Sequence, residues 1–221
     1  MLYLVSTPIG NLKDISLRAL ETLKEADIIA CEDTRTSLKL LNHYDIKKPL
    51  VAYHKFNERV AGEKLVEELR QGKNIALITD AGTPLISDPG NVLTKMLAEE
   101  NIPYTVVPGA TAFTSALLLS GLDCSRFAFV GFIPDKKREA EKLLKKYENL
   151  DCSLVFYSAP HDLKNTLRTL YAAYGARKAS VCKEITKLHE GVERITLGEE
   201  LVEETPKGEY VVVVAGAAEE K

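Results

Sequence analysis

Short apolar runs alternate with amphipathic stretches along the whole chain. Between the runs, apolar positions such as Leu17, Leu20 and Leu23 recur at the spacing of a helix that buries one face. Strands that alternate with such helices are typical of an α/β fold, in which helices cover a largely parallel sheet. In the first half of the chain, the runs that predict strands are Leu2–Val5, Asp27–Cys31, Leu50–Tyr53, Ile75–Thr79 and Tyr104–Val107.

A second series of strands and helices begins after a break in the middle of the chain. A small apolar helix is predicted from Thr111 to Leu119, and the dipeptide Ser120-Gly121 ends it. We therefore predict one α/β domain over residues 1–119 and another over residues 120–221. No long flexible linker separates them, so we expect the domains to pack closely and to share a cleft. The later strands are predicted at Phe127–Val130, Ser153–Tyr157, Ser180–Lys183 and Tyr210–Val214, and the later helices at Lys136–Glu148 and Leu163–Tyr174.

The charge balance argues against a protein that coats nucleic acid indiscriminately. The chain has 29 Lys and Arg residues against 32 Asp and Glu residues, which gives a net charge of −3. Any contact with RNA must then come from a local patch. One predicted helix has a basic face with Arg138, Lys142 and Lys145. A solvated surface is the ordinary interpretation of such a face, and phosphate binding is the alternative.

Membrane insertion and metal binding find no support in the residue pattern. The apolar runs are far shorter than the roughly 20 residues that a membrane helix needs, and the first residues lack the basic start and cleavage site of a signal peptide. We therefore expect a cytoplasmic protein without membrane contact. The four histidines and four cysteines lack the spacing of metal ligands, so we expect no metal site.

The most informative loop is Asp80–Gly90, which follows a predicted strand and precedes a predicted helix. In open α/β sheets, ligands bind beyond the carboxyl ends of the strands, where glycines let the backbone approach a ligand and prolines stiffen the path. The structural alternative is a turn-rich connection in which Asp88 caps the next helix. Two separate Gly/Pro clusters in so long a loop favour a functional role.

Two further loops, Ser6–Asp14 and Pro108–Phe113, also follow predicted strands. The small side chains of the second leave room for a flat ring beside the backbone. The chain lacks the phosphate-binding patterns GxxxxGKS/T and GxGxxG, which argues against NTP hydrolysis and hydride transfer. Together with Asp80–Gly90, the two loops could enclose a nucleoside-containing cofactor.

Three polar clusters follow predicted strands as well: Glu32–Arg35, His54–Glu58 and Lys183–Glu190. Taken alone, each cluster is more typical of a solvated loop or a helix cap than of catalytic groups. Their shared position at strand ends favours a functional role, because the carboxyl ends of parallel strands meet at one edge of a sheet.

Together these motifs resemble those of the tetrapyrrole-methylase superfamily and, within it, the group of ribosomal RNA small subunit methyltransferase I. The resemblance covers essentially the whole chain. It implies a homodimeric enzyme that uses S-adenosylmethionine to methylate the ribose 2′-oxygen of a cytidine in the decoding region of 16S rRNA. We expect 16S rRNA within the small ribosomal subunit as partner, and no DNA. The motifs that carry the resemblance are Ser6–Leu12, Glu32–Arg35, His54–Glu58, Asp80–Gly90, Pro108–Ala112, Gly131–Pro134 and Glu184–Glu190.

The resemblance also implies a two-domain fold with the cofactor in the interdomain cleft. Members that act on tetrapyrroles open with a GxGPGD-like loop, whereas this chain has Thr7–Asn11 at that position. Ser158, Asp162 and Lys183 also depart from the residues usual in the group. The cofactor contacts that the resemblance implies are Ile9, Gly82, Thr83, Ile86, Pro108, Gly109, Thr111, Ala112, Phe156 and Tyr157.

Methyl transfer to a hydroxyl requires in-line alignment of oxygen, methyl carbon and sulfur, and a group that accepts the hydroxyl proton. The candidate bases are Glu32, Asp33 and His54, and no motif identifies which of them acts. Two alternatives stay open: a methyltransferase that acts on a tetrapyrrole or another small molecule, and a non-catalytic RNA- or nucleotide-binding module. The candidate substrate contacts are Arg35, Lys55, Asn57 and Arg59.

Overall fold

The chain divides into two units, Met1–Thr111 and Ala112–Lys221. A computed structural model describes residues 1–199, 201 and 205–217. The first unit is therefore described in full, whereas the end of the predicted second domain lies outside the described residues. Within the described residues, no helix has both the length and the apolar character needed to cross a membrane.

The first unit, all of whose residues are described, alternates strands with helices as predicted. The strands are β1 (Leu2–Val5), β2 (Ile28–Cys31), β3 (Leu50–Ala52), β4 (Ile75–Ile78) and β5 (Tyr104–Val107). The α-helices are α1 (Leu17–Glu25), α2 (Thr34–His43), α3 (Glu58–Arg70) and α4 (Asn91–Glu99). The strand order is β3-β2-β4-β1-β5, and every neighbouring pair is parallel. The predicted parallel sheet is confirmed for this unit.

Side chains of the first sheet fill two cores, one on each face. Leu4 of β1 packs with Leu65 of α3 and Leu93 of α4. On the other face, Val5 of β1 packs with Leu23 of α1. Successive side chains point to opposite faces of a strand, so a strand covered on both faces is apolar throughout. Strand β4, all of whose residues are buried, shows this pattern.

Ser16 and Gly72 mark two helix ends, and both are residue types that commonly cap helices. Ser16 Oγ accepts a hydrogen bond from the Ala19 N–H at 3.1 Å and so caps α1. Beyond the end of α3, Gly72 has a φ of +84°, the left-handed conformation in which glycine commonly ends a helix. These ends fix where the chain returns to the sheet.

The second unit has a mixed sheet. Its α-helices in the described residues are α5 (Ala112–Ser120), α6 (Lys137–Leu144) and α7 (Leu163–Tyr174). The described strands are β6 (Phe127–Phe132), β7 (Ser153–Ser158), β8 (Lys178–Lys183), β9 (Gly191–Thr196) and β10 (Tyr210–Val214), in the order β6-β7-β10-β8-β9. Strands β6 and β7 are parallel, whereas β10 is antiparallel to β7 and β8, and β8 is antiparallel to β9. The expectation of a largely parallel sheet is therefore wrong for this unit.

Strand β9 is absent from the elements predicted from the sequence. It pairs only with β8 among the described strands and lies at the edge of the sheet. Glu193 and Arg194 interrupt its apolar pattern. An edge strand with one solvated side lacks the continuous apolar run that identified the inner strands.

Helix α5 belongs to the second unit because it packs on the second sheet, against β7, β8 and β10. Ser180 of β8 donates from its hydroxyl to the Ser120 carbonyl oxygen at 2.8 Å. The Arg194 guanidinium donates to the carbonyl oxygens of Leu119, at 2.8 Å, and Ser120, at 3.0 Å. These bonds satisfy carbonyl groups that the helix end leaves free. The Ser120-Gly121 break ends the helix, and the division between the units falls before the helix, after Thr111.

Candidate active site at the edge of the first sheet

Hydrogen bonds join the loops after β1, β4 and β5 into one cluster. Because the strands are parallel, these loops leave the sheet at the same edge. The backbones of Thr7 and Gly82 exchange two N–H to carbonyl bonds, of 2.8 and 3.1 Å. Thr83 Oγ1 lies 2.9 Å from Ser6 Oγ and 2.8 Å from Thr111 Oγ1. The three loops that the sequence singled out therefore lie together, and we call them the glycine–threonine loops.

Two of these loops approach each other so closely that only glycine fits between them. A Cβ atom on Gly109 would lie 2.9 Å from Ser6 Cβ, well inside the roughly 3.5–4.0 Å of optimal carbon–carbon contact. Gly82 has a φ of +86°, and a Cβ there would lie 3.4 Å from Ile9 Cγ2. Both glycines therefore allow close packing of the loops, Gly109 against Ser6 and Gly82 against Ile9.

The loop Asp80–Gly90 has an unusual backbone conformation. Leu85 and Ser87 have φ values of +72° and +62°, a region that residues with side chains rarely adopt. Gly90, with a φ of +138°, ends the loop. Backbone strain of this kind persists only where the surroundings hold it, and it is concentrated at ligand sites.

Glu58, the first residue of α3, anchors the end of this loop. Its Oε1 atom accepts the Gly90 N–H at 2.9 Å and the Tyr53 hydroxyl at 3.3 Å. Helix α4 has Gly90 as its N-cap residue and no side-chain cap. The alternative in which Asp88 caps that helix is therefore wrong, and the loop is held instead by a neighbouring polar motif.

The other residues that the resemblance assigns to the cofactor have varied surroundings. Ile86 is half-buried, and Pro108 is exposed. Ala112, Phe156 and Tyr157 belong to the second unit. The Phe156 side chain is fully buried in the core of that unit, whereas Tyr157 is half-buried. Of these two aromatic rings, only that of Tyr157 can reach a ligand in this conformation.

The predicted catalytic residues line a groove at the ends of β2 and β3. In the order β3-β2-β4-β1-β5, the strand that follows β2 lies on one side of it, whereas the strand that follows β4 lies on the other side. The crevice between β2 and β4, beside the groove, is thus a topological switch point, where α/β proteins commonly bind ligands. The groove, of about 370 Å³, is lined by Glu32, Asp33, Thr34, Arg35, Ala52, His54 and Phe56.

The Asp33 side chain is engaged in local structure. Its Oδ1 atom accepts the Arg35 backbone N–H at 2.8 Å and so caps α2. The Arg35 guanidinium donates to both carboxylate oxygens, at 3.1 and 2.7 Å. The hydrogen bonds from Arg35 lower the pKa of Asp33 to about 2. A carboxylate stabilised in this way is a weak proton acceptor, so Asp33 is the least suited of the three candidate bases.

Glu32, Asp80 and Asp88 form a group of neighbouring carboxyls, which we call the carboxyl cluster. Burial raises the pKa of Glu32, and the charge of Asp80 raises it further. Burial also raises the pKa of Asp80. The pKa of Asp88 rises to about 7 through burial and the charges of Glu32 and Asp80. This cluster can therefore hold and release a proton near neutral pH.

His54 lies close enough to Glu32 for its charge to lower the pKa of that carboxyl. The Nδ1 atom of His54 is buried and has no hydrogen-bond partner in the part of the chain that the structure describes. A buried ring nitrogen without a partner normally costs free energy. His54 therefore has an unused hydrogen-bonding position beside the groove.

Asp80 and Asp88 are missing from the site residues predicted from the sequence. The position of Asp80 follows from the pairing of two strands. Strands β2 and β4 are neighbours, and Cys31 lies opposite Ile78. Continued past both strand ends, this register places Asp33 opposite Asp80, and the Asp33 N–H donates to Asp80 Oδ1 at 3.1 Å. The order of the strands is needed to derive this pairing, and the linear pattern does not contain it.

The predicted substrate contacts comprise three exposed cations and one residue that shapes a turn. The side chains of Arg35 and Arg59 are 87% and 85% exposed, and each pairs with a carboxylate. Lys55 is also exposed. Ion pairs at such exposed positions are weak, so all three cations remain accessible. The Asn57 side chain, in contrast, accepts the His54 N–H at 2.8 Å within its own loop.

The third polar cluster lies in the second unit, and its charges pair with one another. Lys187 Nζ donates to Glu184 Oε1 and Glu209 Oε2, at 2.9 Å in each case. Glu184 Oε1 also accepts the Glu209 backbone N–H at 2.9 Å. The interpretation of this motif as a structural turn fits these contacts.

Comparison with known families and curated proteins gives matches along nearly the whole chain. The family model for Tetrapyrrole (Corrin/Porphyrin) Methylases matches residues 1–200. A protein of Halalkalibacterium halodurans named ribosomal RNA small subunit methyltransferase I is 46% identical over 221 residues, which cover 99% of this chain and 76% of the relative. A protein of the same name from Coprothermobacter proteolyticus is 44% identical, with 97% of each chain covered.

Solved structures with lower sequence identity share the fold. Diphthine synthase has a TM-score of 0.77 at 17% identity, with 97% of this chain and 89% of that chain covered. The uroporphyrin-III-C-methyltransferase from Thermus thermophilus has a TM-score of 0.67 at 22% identity, with 98% and 94% covered. At these identities the likeness concerns the fold alone. It confirms the predicted α/β fold with two sheets, each flanked by helices.

Proposed function

This chain belongs to the tetrapyrrole (corrin/porphyrin) methylase family, and we propose that it transfers the methyl group of S-adenosylmethionine to the 2′-hydroxyl of a cytidine in the decoding region of 16S rRNA. Membership of the family makes the protein a methyltransferase. Curated relatives named ribosomal RNA small subunit methyltransferase I support an RNA substrate. One observation carries the proposal: the glycine–threonine loops and the groove with Glu32 and His54 lie at the same edge of one sheet.

The glycine–threonine loops have the chemistry that a nucleoside-containing cofactor requires. Gly82 and Gly109 lack the Cβ atoms that would crowd Ile9 and Ser6, and backbone without a side chain can approach a ligand closely. The hydroxyls of Thr83 and Thr111 can donate to or accept from ribose hydroxyls and ring nitrogens. The Ile9 side chain is buried beside Gly82 and supports the loop from below. When bound, S-adenosylmethionine supplies an electrophilic methyl group on a sulfonium sulfur. These loop residues would hold and orient it.

Glu32 is the residue that we assign to accept the proton of the ribose hydroxyl. It lines the groove, and burial raises its pKa above the ordinary carboxyl value, which makes it a stronger proton acceptor. The charge of Asp80 raises that pKa further, and His54 Nδ1 offers a further hydrogen-bonding atom beside the groove. A positioned proton acceptor contributes typically about 10²–10⁴-fold to the rate, and alignment of the reacting atoms supplies much of the remainder.

Arg35, Lys55 and Arg59 are the residues that we assign to the RNA phosphates. All three are exposed at or next to the groove, whereas the chain as a whole carries a net charge of −3. A small basic patch on an acidic protein suits a shaped ribonucleoprotein surface better than naked RNA, since RNA is recognised by form as well as by charge. We therefore propose the assembled small subunit as substrate, and a homodimer as the active form.

The proposed reaction can be tested directly with labelled cofactor. Unmodified small ribosomal subunits and deproteinised 16S rRNA are incubated with methyl-labelled S-adenosylmethionine, and the modified ribose is mapped by its resistance to alkaline cleavage. We expect label on a cytidine ribose of the decoding region, with subunits preferred over free RNA. Label on a base, or on neither substrate, would refute the proposal. Transfer to a tetrapyrrole in a parallel incubation would favour the small-molecule alternative.

A further inference from the structure

Phe56 is an aromatic residue of the groove that the proposed reaction does not yet use. It is 92% exposed, although it is one of the largest apolar side chains of the protein. Single exposed apolar side chains are common on protein surfaces and need no explanation by themselves. Three features distinguish Phe56: the turn that carries it is tied at both ends, cations flank it, and it lines the groove that contains Glu32 and His54.

The turn that carries Phe56 is closed by Asn57. The Asn57 N–H donates to the His54 carbonyl oxygen at 2.9 Å, and the His54 N–H donates to Asn57 Oδ1 at 2.8 Å. Asn57 Nδ2 also donates to the Ala52 carbonyl oxygen at 2.9 Å. Lys55 and Phe56 therefore occupy the two central positions of a tied β-turn. The backbone of this turn therefore loses little conformational freedom when a partner binds.

Exposed cations lie beside Phe56, together with the groove carboxylates Glu32 and Asp33. Lys55 is its neighbour in the turn, and among the described residues no carboxylate lies within ion-pair distance of Lys55. Arg35 lines the same groove, and Arg59 follows in the first turn of α3; both are almost fully exposed. An aromatic ring next to exposed cations is the arrangement by which proteins bind unpaired RNA, with the ring against a base and the cations at the phosphates.

From this geometry we infer that Phe56 is a stacking platform for an unpaired RNA base, and that it holds the adjoining ribose over the groove near Glu32. The inference rests on the proposed function and names the residue that positions its substrate. Bases in single-stranded loops and bulges of RNA can be splayed out and stacked on aromatic side chains. The Phe56 ring replaces the stacking that the displaced base loses, and Lys55 meets the phosphate beside it.

The inference is tested by substitutions at position 56 that separate stacking from apolar contact. Phe56→Ala, Phe56→Leu and Phe56→Tyr are compared with the wild type in methyl transfer to small ribosomal subunits and in binding of a single-stranded RNA oligonucleotide that contains 2-aminopurine. Stacking quenches the fluorescence of that base. Leu17→Ala is the matched control, because Leu17 is another large apolar side chain of the first unit and is 79% exposed.

Phe56→Ala should bind the oligonucleotide about tenfold to a hundredfold more weakly and lose most of the quenching, since aromatic stacking of a base is sequence-tolerant and strong. The same variant should raise KM for subunits, whereas Phe56→Tyr should restore both binding and quenching. Affinity for S-adenosylmethionine and the unfolding midpoint should not change, because the side chain packs against almost nothing. Leu17→Ala should behave as the wild type in every assay.

Two results would overturn the inference. If Phe56→Leu restored activity as fully as Phe56→Tyr, the contact would be a general apolar one, such as that with a ribosomal protein. If Phe56→Ala matched Leu17→Ala, the ring would have no role in binding. Failure of the proposed function can be told apart from failure of this inference. In the first case the wild type would methylate neither substrate, and the 2-aminopurine fluorescence would still show whether Phe56 stacks on RNA.

Discussion

The substitution Gly109→Ala tests whether the glycine–threonine loops bind the cofactor. The added Cβ would lie 2.9 Å from Ser6 Cβ, which is about 1 Å inside the optimal carbon–carbon distance. Ser6 cannot simply move away, because its N–H donates to the Val107 carbonyl oxygen at 3.1 Å and its hydroxyl lies 2.9 Å from Thr83 Oγ1. The loops after β1 and β5 must separate, and overpacking of this kind typically costs about 1–3 kcal/mol of stability.

Separation of the loops should weaken cofactor binding as well as stability. The hydroxyls of Ser6, Thr83 and Thr111 form one hydrogen-bonded row, and movement of Ser6 breaks it. We expect S-adenosylmethionine to bind at least about tenfold more weakly, which corresponds to about 1.4 kcal/mol. Titration calorimetry measures the affinity, and urea unfolding measures the stability. Gly191→Ala is the matched control, because nothing lies within 4 Å of a Cβ atom there.

A second-site change identifies the clash as the cause. Ser6→Gly removes the atom that the new Cβ meets, so the double variant with Gly109→Ala should bind the cofactor more tightly than the two single effects predict. A Gly109→Ala protein that loses stability but binds S-adenosylmethionine like the wild type would refute the assignment of these loops to the cofactor. A protein unchanged in both properties would refute the described geometry.

Four further substitutions test the groove, the carboxyl cluster and the second unit. Glu32→Gln should lower kcat about 10²–10⁴-fold at unchanged cofactor affinity, and normal turnover would exclude Glu32 as the base. Asp33→Ala should instead lower the free energy of unfolding, as measured in urea, through loss of the α2 cap. The pKa of Asp88, about 7 against an ordinary 3.8, means that the folded state binds this proton more tightly than the unfolded state. The contribution of this proton to stability is full below about pH 4 and is lost as the pH rises through about 7. Unfolding in urea should therefore show that Asp88→Asn gains stability relative to the wild type between pH 4 and pH 8. A difference that stays constant over this range would contradict the raised pKa. Arg194→Met should cost about 1 kcal/mol because the Leu119 carbonyl loses the Arg194 donor, whereas the Ser120 carbonyl keeps the Ser180 hydroxyl. An unchanged urea midpoint would show that the bonds contribute nothing.

The amino-acid sequence by itself determined the elements and loops of the first unit. Runs such as Ile75–Ile78 are apolar throughout because a strand covered on both faces must bury every side chain. Helix ends at Ser16 and Gly72 were also readable, because capping depends on residues only a few positions apart. The family followed from motifs that remain contiguous in the chain, such as Asp80–Gly90. Each of these features is local, so a linear pattern contains it.

Only the tertiary structure decided which of those residues act together. Asp33 is a helix cap held by Arg35, while Asp88 joins Glu32 and Asp80 in a carboxyl cluster with a raised pKa. The electrostatics of that cluster depend on burial and on β2 lying next to β4, and neither is a property of neighbouring residues in the chain. The packing of α5 on the second sheet, which assigns that helix to the second unit, is likewise a contact between segments far apart in sequence. Strand order and packing join segments far apart in sequence, and periodicity along the chain does not specify those contacts.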